Sequence, residues 1–294
     1  MKVRFGFTMG PEVPAGGLGP LVDDLERLDF DSLWIPEVMS MPILDPIVGL
    51  AFAAARTRRL KLGCHLVLPG RHPVQLARQL AHLDRVSEGR LLLLGVLGLR
   101  RDADHGLQGV DPGDRGAVVD EMVPLLRELW SGETVSHEGR YFQFSDVVID
   151  PTPVQEPLEL WLGGQAPSAL RRCASFGEGW MPGLVPPKEG LILREQLEVE
   201  AAAIGRTMDP EHFGANLFYA REPLSTEVVE AMSVRRSGVD IAAVTPVGPE
   251  ALRERIEEWI EAGFSKFLLR PVVPPSDWTE ELEGLAEEVL PLTT

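Results

Sequence analysis

The chain lacks most of what marks the common alternatives to an ordinary globular enzyme. It has only two cysteines, Cys64 and Cys173, which fall in separate predicted elements and at no metal-ligand spacing. Reduced thiols and a cytoplasmic location are therefore the expectation. Basic residues are scarce: 28 Lys and Arg stand against 45 Asp and Glu, a formal net charge of −17. Phosphate-backbone and anionic-surface binding are mainly Lys/Arg electrostatics, so nucleic acid and membranes are excluded as expected partners. No apolar run approaches membrane-spanning length, and the first residues lead directly into a strand-like run rather than a secretory leader. Zinc spacings, a P-loop, a nucleophile elbow and a Cys/His nucleophile pair are all missing. The glycine stretch Gly16-Gly17-Leu18-Gly19 is not a dinucleotide fingerprint.

What is present is alternation. Short β-like runs at 3–8, 32–36, 60–68, 90–97, 158–162, 179–184, 212–221 and 265–273 are separated by amphipathic helical runs. The helices are predicted at 18–28, from Asp45-Pro46 onward, and at 72–87, 115–130, 166–176, 188–204, 250–262 and 278–290. Asp45 before Pro46 is an N-cap followed by proline at the first helical position. The stretch 139–150, with Tyr141, Phe142 and Phe144, reads as extra β structure, and 225–237 as an irregular insertion. Eight strand–helix units predict an α/β fold, a (β/α)8 TIM barrel with short insertions, in one domain over residues 1–294. The competitor is a doubly wound open sheet.

In such a barrel the chemistry sits where strands end and βα-loops begin. The loop Gly163-Gly164-Gln165-Ala166 precedes a helix. Glycines there admit a phosphate to the backbone, and the helix N-terminus offers free N–H groups; a plain chain-reversing turn is the alternative. Arg171 and Arg172 follow one turn on. Strand three ends in Cys64, His65 and Leu66, with His65 a candidate proton donor or ring neighbour. Strand two ends at Glu37, a possible proton acceptor. Strand four ends at Leu97-Gly98-Leu99-Arg100-Arg101, where Arg100 could meet an anion. Trp180 could stack on a ring or fill the core rim. An apolar pocket with few polar groups and an anion cradle suits a planar cofactor with a phosphate tail.

Three blocks in order carry a family resemblance. The first runs from Leu62-Gly63-Cys64-His65 through Arg71-His72-Pro73 and Leu83-Asp84-Arg85-Val86-Ser87-Glu88-Gly89-Arg90 to Leu94-Gly95-Val96. The second is Pro153 to Pro157 with Trp161-Leu162-Gly163-Gly164 and Gly177-Glu178-Gly179-Trp180. The third is Gly248-Pro249-Glu250 with Ala262-Gly263. The chain resembles the luciferase-like monooxygenase superfamily, especially its coenzyme F420-dependent oxidoreductases. The resemblance implies a deazaflavin, with FMN as the alternative, lying across the barrel mouth and exchanging a hydride with a small-molecule substrate. It implies Cys64, His65, Leu66, the strand-four end at Leu97 and Gly98, Gly163, Gly164 and the Trp180 region around the cofactor; the residues themselves add Arg100, Gln165 and Ala166 to that set and make His65 and Glu37 the candidate catalytic groups. The resemblance further implies a non-prolyl cis peptide near Cys64–Leu66 and a homodimer packed through helices two and three. Two positions depart from the family pattern: Glu37-Val38 replace the Asp-His that follows the second strand, and Leu97 stands in place of a glycine. An FMN-dependent monooxygenase and a non-catalytic ligand-binding barrel are the competing functions.

Overall fold

The computed structural model describes residues 1–98, 106–235 and 239–294. The strands are β1 (Arg4–Thr8), β2 (Ser32–Pro36), β3 (Lys61–Val67), β4 (Leu91–Val96), β5 (Val135–Glu138), β6 (Gln143–Val147), β7 (Leu160–Gly163), β8 (Trp180–Met181), β9 (Gly214–Tyr219) and β10 (Lys266–Pro271). Eight of them form one parallel sheet in the order β8-β7-β4-β3-β2-β1-β10-β9. The two ends meet through a parallel bridge between Trp180 and Phe213, where the Trp180 N–H donates to the His212 carbonyl at 2.9 Å. The ring is therefore a barrel, as the alternation predicts, and the open doubly wound sheet is excluded.

The helices between strands are α1 (Leu18–Arg27), α2 (Pro46–Arg56), α3 (Pro73–Val86), α4 (Arg115–Trp130), α5 (Pro167–Phe176), α6 (Pro187–Ala203), α7 (Thr226–Arg235), α8 (Ile241–Val244), α9 (Pro249–Glu261) and α10 (Trp278–Val289). The Asp45 side chain caps α2 by accepting from the Val48 N–H at 3.0 Å. His72 caps α3 through Nδ1 and the Val74 N–H, which makes it a helix-start residue. The stretch around Tyr141 and Phe144 is the antiparallel β5–β6 hairpin, outside the barrel ladder. Two expectations need correction. The segment read as irregular contains α7, and the sixth barrel strand is only two residues long, followed at once by Pro182, which has no N–H to donate.

Strand alternation sorts the side chains. Leu33, Ile35, Leu62, Cys64, Leu66, Leu91 and Leu93 point outward into the large core beneath the helices. Trp34, Leu94, Trp161, Met181 and Leu268 form a separate cluster that fills the barrel interior, with Leu92 and Val96 against it. Two tryptophans fit inside only because the facing positions are small. A Cβ on Gly63 would overlap the Trp34 indole, and one on Gly179 would overlap Trp161. The barrel is thus a packed core, and ligand space lies above it at the C-terminal rim.

Candidate active site

The rim is built from the last inward residue of each strand. On β3 the inward residues near the rim are His65, level with Pro36 of β2 and Leu94 of β4, and the buried Val67, level with Val96. The His65 ring lies 5.3 Å from the Trp34 ring, so it stands on the floor formed by the interior cluster. Cys64 and Leu66 point the other way and are fully buried among outward core residues. Burial pushes the Cys64 thiol up to about 12, which leaves it inert as a nucleophile. Of the strand-three trio, then, only His65 offers its side chain to the mouth. The expected non-prolyl cis bond is also corrected. Among the described residues the cis peptides are Asp150–Pro151 and Glu156–Pro157, while β3 stays in unbroken register with β4 from Leu62 to Val67.

Glu37 is half-buried at the end of β2 and fully engaged. One carboxylate oxygen takes Arg71 Nη2 at 2.6 Å and the other takes the Val67 N–H at 2.8 Å. Its own N–H donates to the His65 carbonyl at 2.9 Å, and Arg71 Nε returns to the Val67 carbonyl at 3.1 Å. Burial raises the Glu37 pKa, and the Arg71 charge and the Val67 N–H act against that rise. The arrangement clasps the β2 end to the β3–α3 turn and fixes the backbone from the His65 carbonyl to Val67. In the sequence Arg71 stands out only within the Arg71-His72-Pro73 block; its partnership with Glu37 spans 34 positions and has no local signal.

At the β4 end the Leu97 side chain packs against the outer core, not into the mouth. Its carbonyl accepts from Gln108 Nε2 at 3.4 Å and Arg115 Nη1 at 3.3 Å. Gly98 has φ +84°, and a Cβ there would overlap the Gln108 amide. The bulk of Leu97 therefore takes no room from a ligand. Leu99, Arg100 and Arg101 lie outside the described residues.

The β7 end carries the glycine pair. A Cβ on Gly163 would stand 3.0 Å from Val96 Cγ1, a tight contact that glycine avoids where β7 approaches β4. Gly164 has φ +126°, a conformation other residues avoid, and a Cβ there would stand 2.9 Å from that of Ala169. Helix α5 begins just beyond, with no side-chain cap at Ala166 and with Gln165, Ala166 and Ser168 exposed. Pro167 has no N–H, and the Ala169 and Leu170 N–H groups donate to the Ala166 carbonyl at 2.8 and 3.0 Å. Within the first turn it is therefore the Ser168 N–H, together with the helix dipole, that favours an anion. Trp180 is fully buried, and its Nε1 donates to the Gly164 carbonyl at 2.9 Å. It buttresses the loop from behind, beside Phe213 and Phe264, and does not wall the mouth. Arg172 also turns away, into an ion pair with Asp120 at 2.6 Å.

A further group at the rim had no sequence signal. Arg270 is the last inward charged residue of β10, and its Nη2 donates to Glu12 Oε2 at 3.1 Å from the loop after β1. Thr8 ends β1 beside them, with its hydroxyl buried. Two clefts lie away from the rim centre: about 390 Å³ between α5 and α6, and about 760 Å³ beside the β9 and β10 loops. Neither involves His65 or the glycine pair.

Comparison with known proteins adds a second line of evidence. The family described as luciferase-like monooxygenase matches residues 6–239. An F420-dependent glucose-6-phosphate dehydrogenase of Microbacterium testaceum is 26% identical over 99% of this chain and 97% of its own. Limonene 1,2-monooxygenase of Rhodococcus erythropolis is 31% identical over 54% of this chain and 42% of its own. Among solved structures, an F420-dependent secondary alcohol dehydrogenase in complex with an F420–acetone adduct superposes with a TM-score of 0.84 at 18% identity, covering both chains in full. That last likeness speaks for the fold alone. With the family match spanning most of the barrel and the glycine cradle at its rim, the chain belongs to the luciferase-like monooxygenase family.

Proposed function

We propose that the protein is an oxidoreductase that uses coenzyme F420 to move a hydride to or from a small organic substrate at the barrel mouth. The observation that carries this reading is the cradle at Gly163 and Gly164. It opens onto the start of α5; a Cβ at Gly164 would meet both a left-handed backbone and Ala169, and one at Gly163 would press on Val96. The residues present therefore fit a phosphate-tailed cofactor. Gly163, Gly164, Gln165 and Ala166 would hold the phosphate. The main chain of Cys64 to Leu66 and of Leu97 and Gly98 would border the ring. When bound, the deazaflavin supplies two-electron hydride chemistry. The chain's own part is to orient the reactants, exclude water above the Trp34 and Trp161 floor, and manage a proton.

His65 is the group placed to hold or move that proton, because it is the one titratable side chain on the inward face of the β3 end. Glu37 acts on it indirectly, by fixing the His65 carbonyl and the Val67 amide. The FMN-dependent monooxygenase reading keeps two supports: the same cradle would accept the single phosphate of FMN, and limonene 1,2-monooxygenase is among the relatives. A homodimer through α2 and α3 is supported by Val48 and Phe52, 61% and 45% exposed on α2, and by Val86, 58% exposed on α3. One domain in a cytoplasmic, reducing setting accords with two buried free thiols.

Equilibrium titration of the purified protein with F420 and with FMN tests the reading. Tight F420 binding with FMN at least tenfold weaker is expected. The reverse order establishes the FMN alternative, and binding of neither leaves a barrel without redox function.

A further inference from the structure

The β1–β10 corner of the mouth holds polar groups whose hydrogen-bonding capacity the fold leaves unfilled. Arg270 gives Nη2 to Glu12, and its guanidinium lies 5.5 Å from the Phe218 ring centre. It makes no other side-chain hydrogen bond to a described residue. Glu12 uses only Oε2; Oε1 is buried and has no hydrogen-bond partner among the described residues. The Thr8 hydroxyl, on a residue 4% exposed, is in the same condition. Gly10 makes the corner possible, since a Cβ there would overlap both Glu12 Oε1 and Arg270 Nη2. The turn that folds Glu12 back, closed by the Val13 N–H on the Gly10 carbonyl at 3.3 Å, therefore sets a carboxylate oxygen in a buried position without a donor. A buried acceptor in that state destabilises the free protein and is relieved when a donor arrives.

The corner also stands in the right place. In the closed ring β8-β7-β4-β3-β2-β1-β10-β9, β1 is four strands from β7, directly across the barrel. A cofactor anchored at Gly163 and Gly164 and reaching over the mouth points at it.

We propose that Glu12, Arg270 and Thr8 form the substrate-selecting subsite, and that it takes a neutral molecule with a hydroxyl next to a second oxygen, such as an α-hydroxy ketone or a vicinal diol. The hydroxyl donates to Glu12 Oε1, and the neighbouring oxygen accepts from Arg270. The ion pair makes the corner neutral overall. A substrate carboxylate meets the Glu12 charge at close range, an ammonium meets Arg270, and a plain ketone leaves Oε1 without a donor. The proposal rests on the redox reading only for placing the substrate at the mouth.

Saturation-transfer NMR decides it, run on the cofactor-free protein and on protein mixed with F420, with hydroxyacetone, acetone and lactate as probes. Hydroxyacetone is expected to bind at least tenfold more tightly than either of the others. Glu12→Ala should bring hydroxyacetone and acetone within twofold of each other, and Glu12→Gln, which keeps an acceptor, should restore part of the gap. Arg270→Met should weaken hydroxyacetone about tenfold, with melting temperatures confirming that each variant folds. Equal binding of the three probes, a preference for lactate, a preference that survives Glu12→Ala, or no binding of any probe in either form overturns the proposal. Failure of F420 to bind sinks the redox reading instead, and the cofactor-free measurement still decides the corner.

Discussion

At the N-terminal end of the barrel, Asp31 takes Lys61 on one oxygen at 2.9 Å and Lys266 on the other at 3.0 Å, and Arg4 donates to the Glu211 carbonyl at 2.6 Å. At the C-terminal end, Glu12 takes Arg270 on one oxygen and leaves the other bare. The two ends come from the same strands, β1 and β10 contributing to both. The closed end matches each acidic oxygen with a cation, as a stabilising plug must. The open end keeps donors and acceptors in surplus, as a binding site must. Pairing of the acidic oxygens thus distinguishes the two ends, complete at Asp31 and half-complete at Glu12, although Arg4 Nε at the closed end is also buried without a hydrogen-bond partner among the described residues.

The comparison breaks most visibly at Asp31. Burial alone would push its carboxyl up, but the charges of Lys266 and Lys61 overcome that and hold it well below the usual carboxylate range. Burial pulls Lys266 down to about 8, against the attraction of Asp31. Asp31→Asn leaves Lys266 buried without a counter-charge, and such losses run to about 3–5 kcal/mol. The pH dependence follows in sign. Because the folded carboxyl has the lower pKa, its contribution is complete above the ordinary value near 3.8 and is lost as pH falls below it. For Lys266 the folded state gives up its proton first, so its own contribution favours the fold as pH rises from about 8 to 10.5. Urea unfolding from pH 3 to 7 should show wild-type stability falling on the acid side and a flatter profile for Asp31→Asn. Parallel profiles would remove Asp31 from the plug.

At the open end the largest effect is expected from Gly164→Ala. An alanine at φ +126° that also presses on Ala169 costs about 1–3 kcal/mol in strain. F420 affinity should fall at least tenfold, while the acid-side stability profile keeps its wild-type shape. Calorimetric titration reads the first and unfolding the second. An unchanged F420 affinity would move the phosphate site elsewhere.

How much of this was legible beforehand differs by region for physical reasons. The barrel followed from periodicity, which is local, and the glycine pair from a strand–turn–helix pattern that is equally local. The direction of Cys64, His65 and Leu66 was not legible. A parallel strand buried on both faces reads as a continuous apolar run and gives no parity until a neighbour such as Trp34 fixes the inside. Trp180 stayed open between stacking on a ring and filling the core rim, because a strand of two residues has almost no alternation to read; its burial decides for the second. The Glu12–Arg270 corner joins residues 258 positions apart, brought together only because closing the ring makes β1 and β10 neighbours. Helix α7 was missed because polar and apolar residues are mixed around its axis, which leaves no apolar stripe to read.

The smallest expected effect is the sharpest test of where chemistry gives way to support at the open end. Glu37 sits at the rim yet resembles the closed end, since both of its oxygens are matched. If it belongs with the plug in kind, Glu37→Gln should cost about 1 kcal/mol through the weakened link to Arg71. F420 affinity should stay within twofold, and kcat should fall less than tenfold through a slight displacement of His65. A general acid or base contributes about 10²–10⁴-fold to rate. A hundredfold drop in kcat with unchanged stability would therefore make Glu37 a proton-transfer group and His65 the spectator. His65→Gln gives the mirror test: a drop of at least a hundredfold in kcat, with F420 affinity retained, is expected if the inward imidazole carries the proton. Steady-state rates across pH on the two variants read the distinction directly, since only the true proton carrier abolishes a limb of the profile when it is replaced.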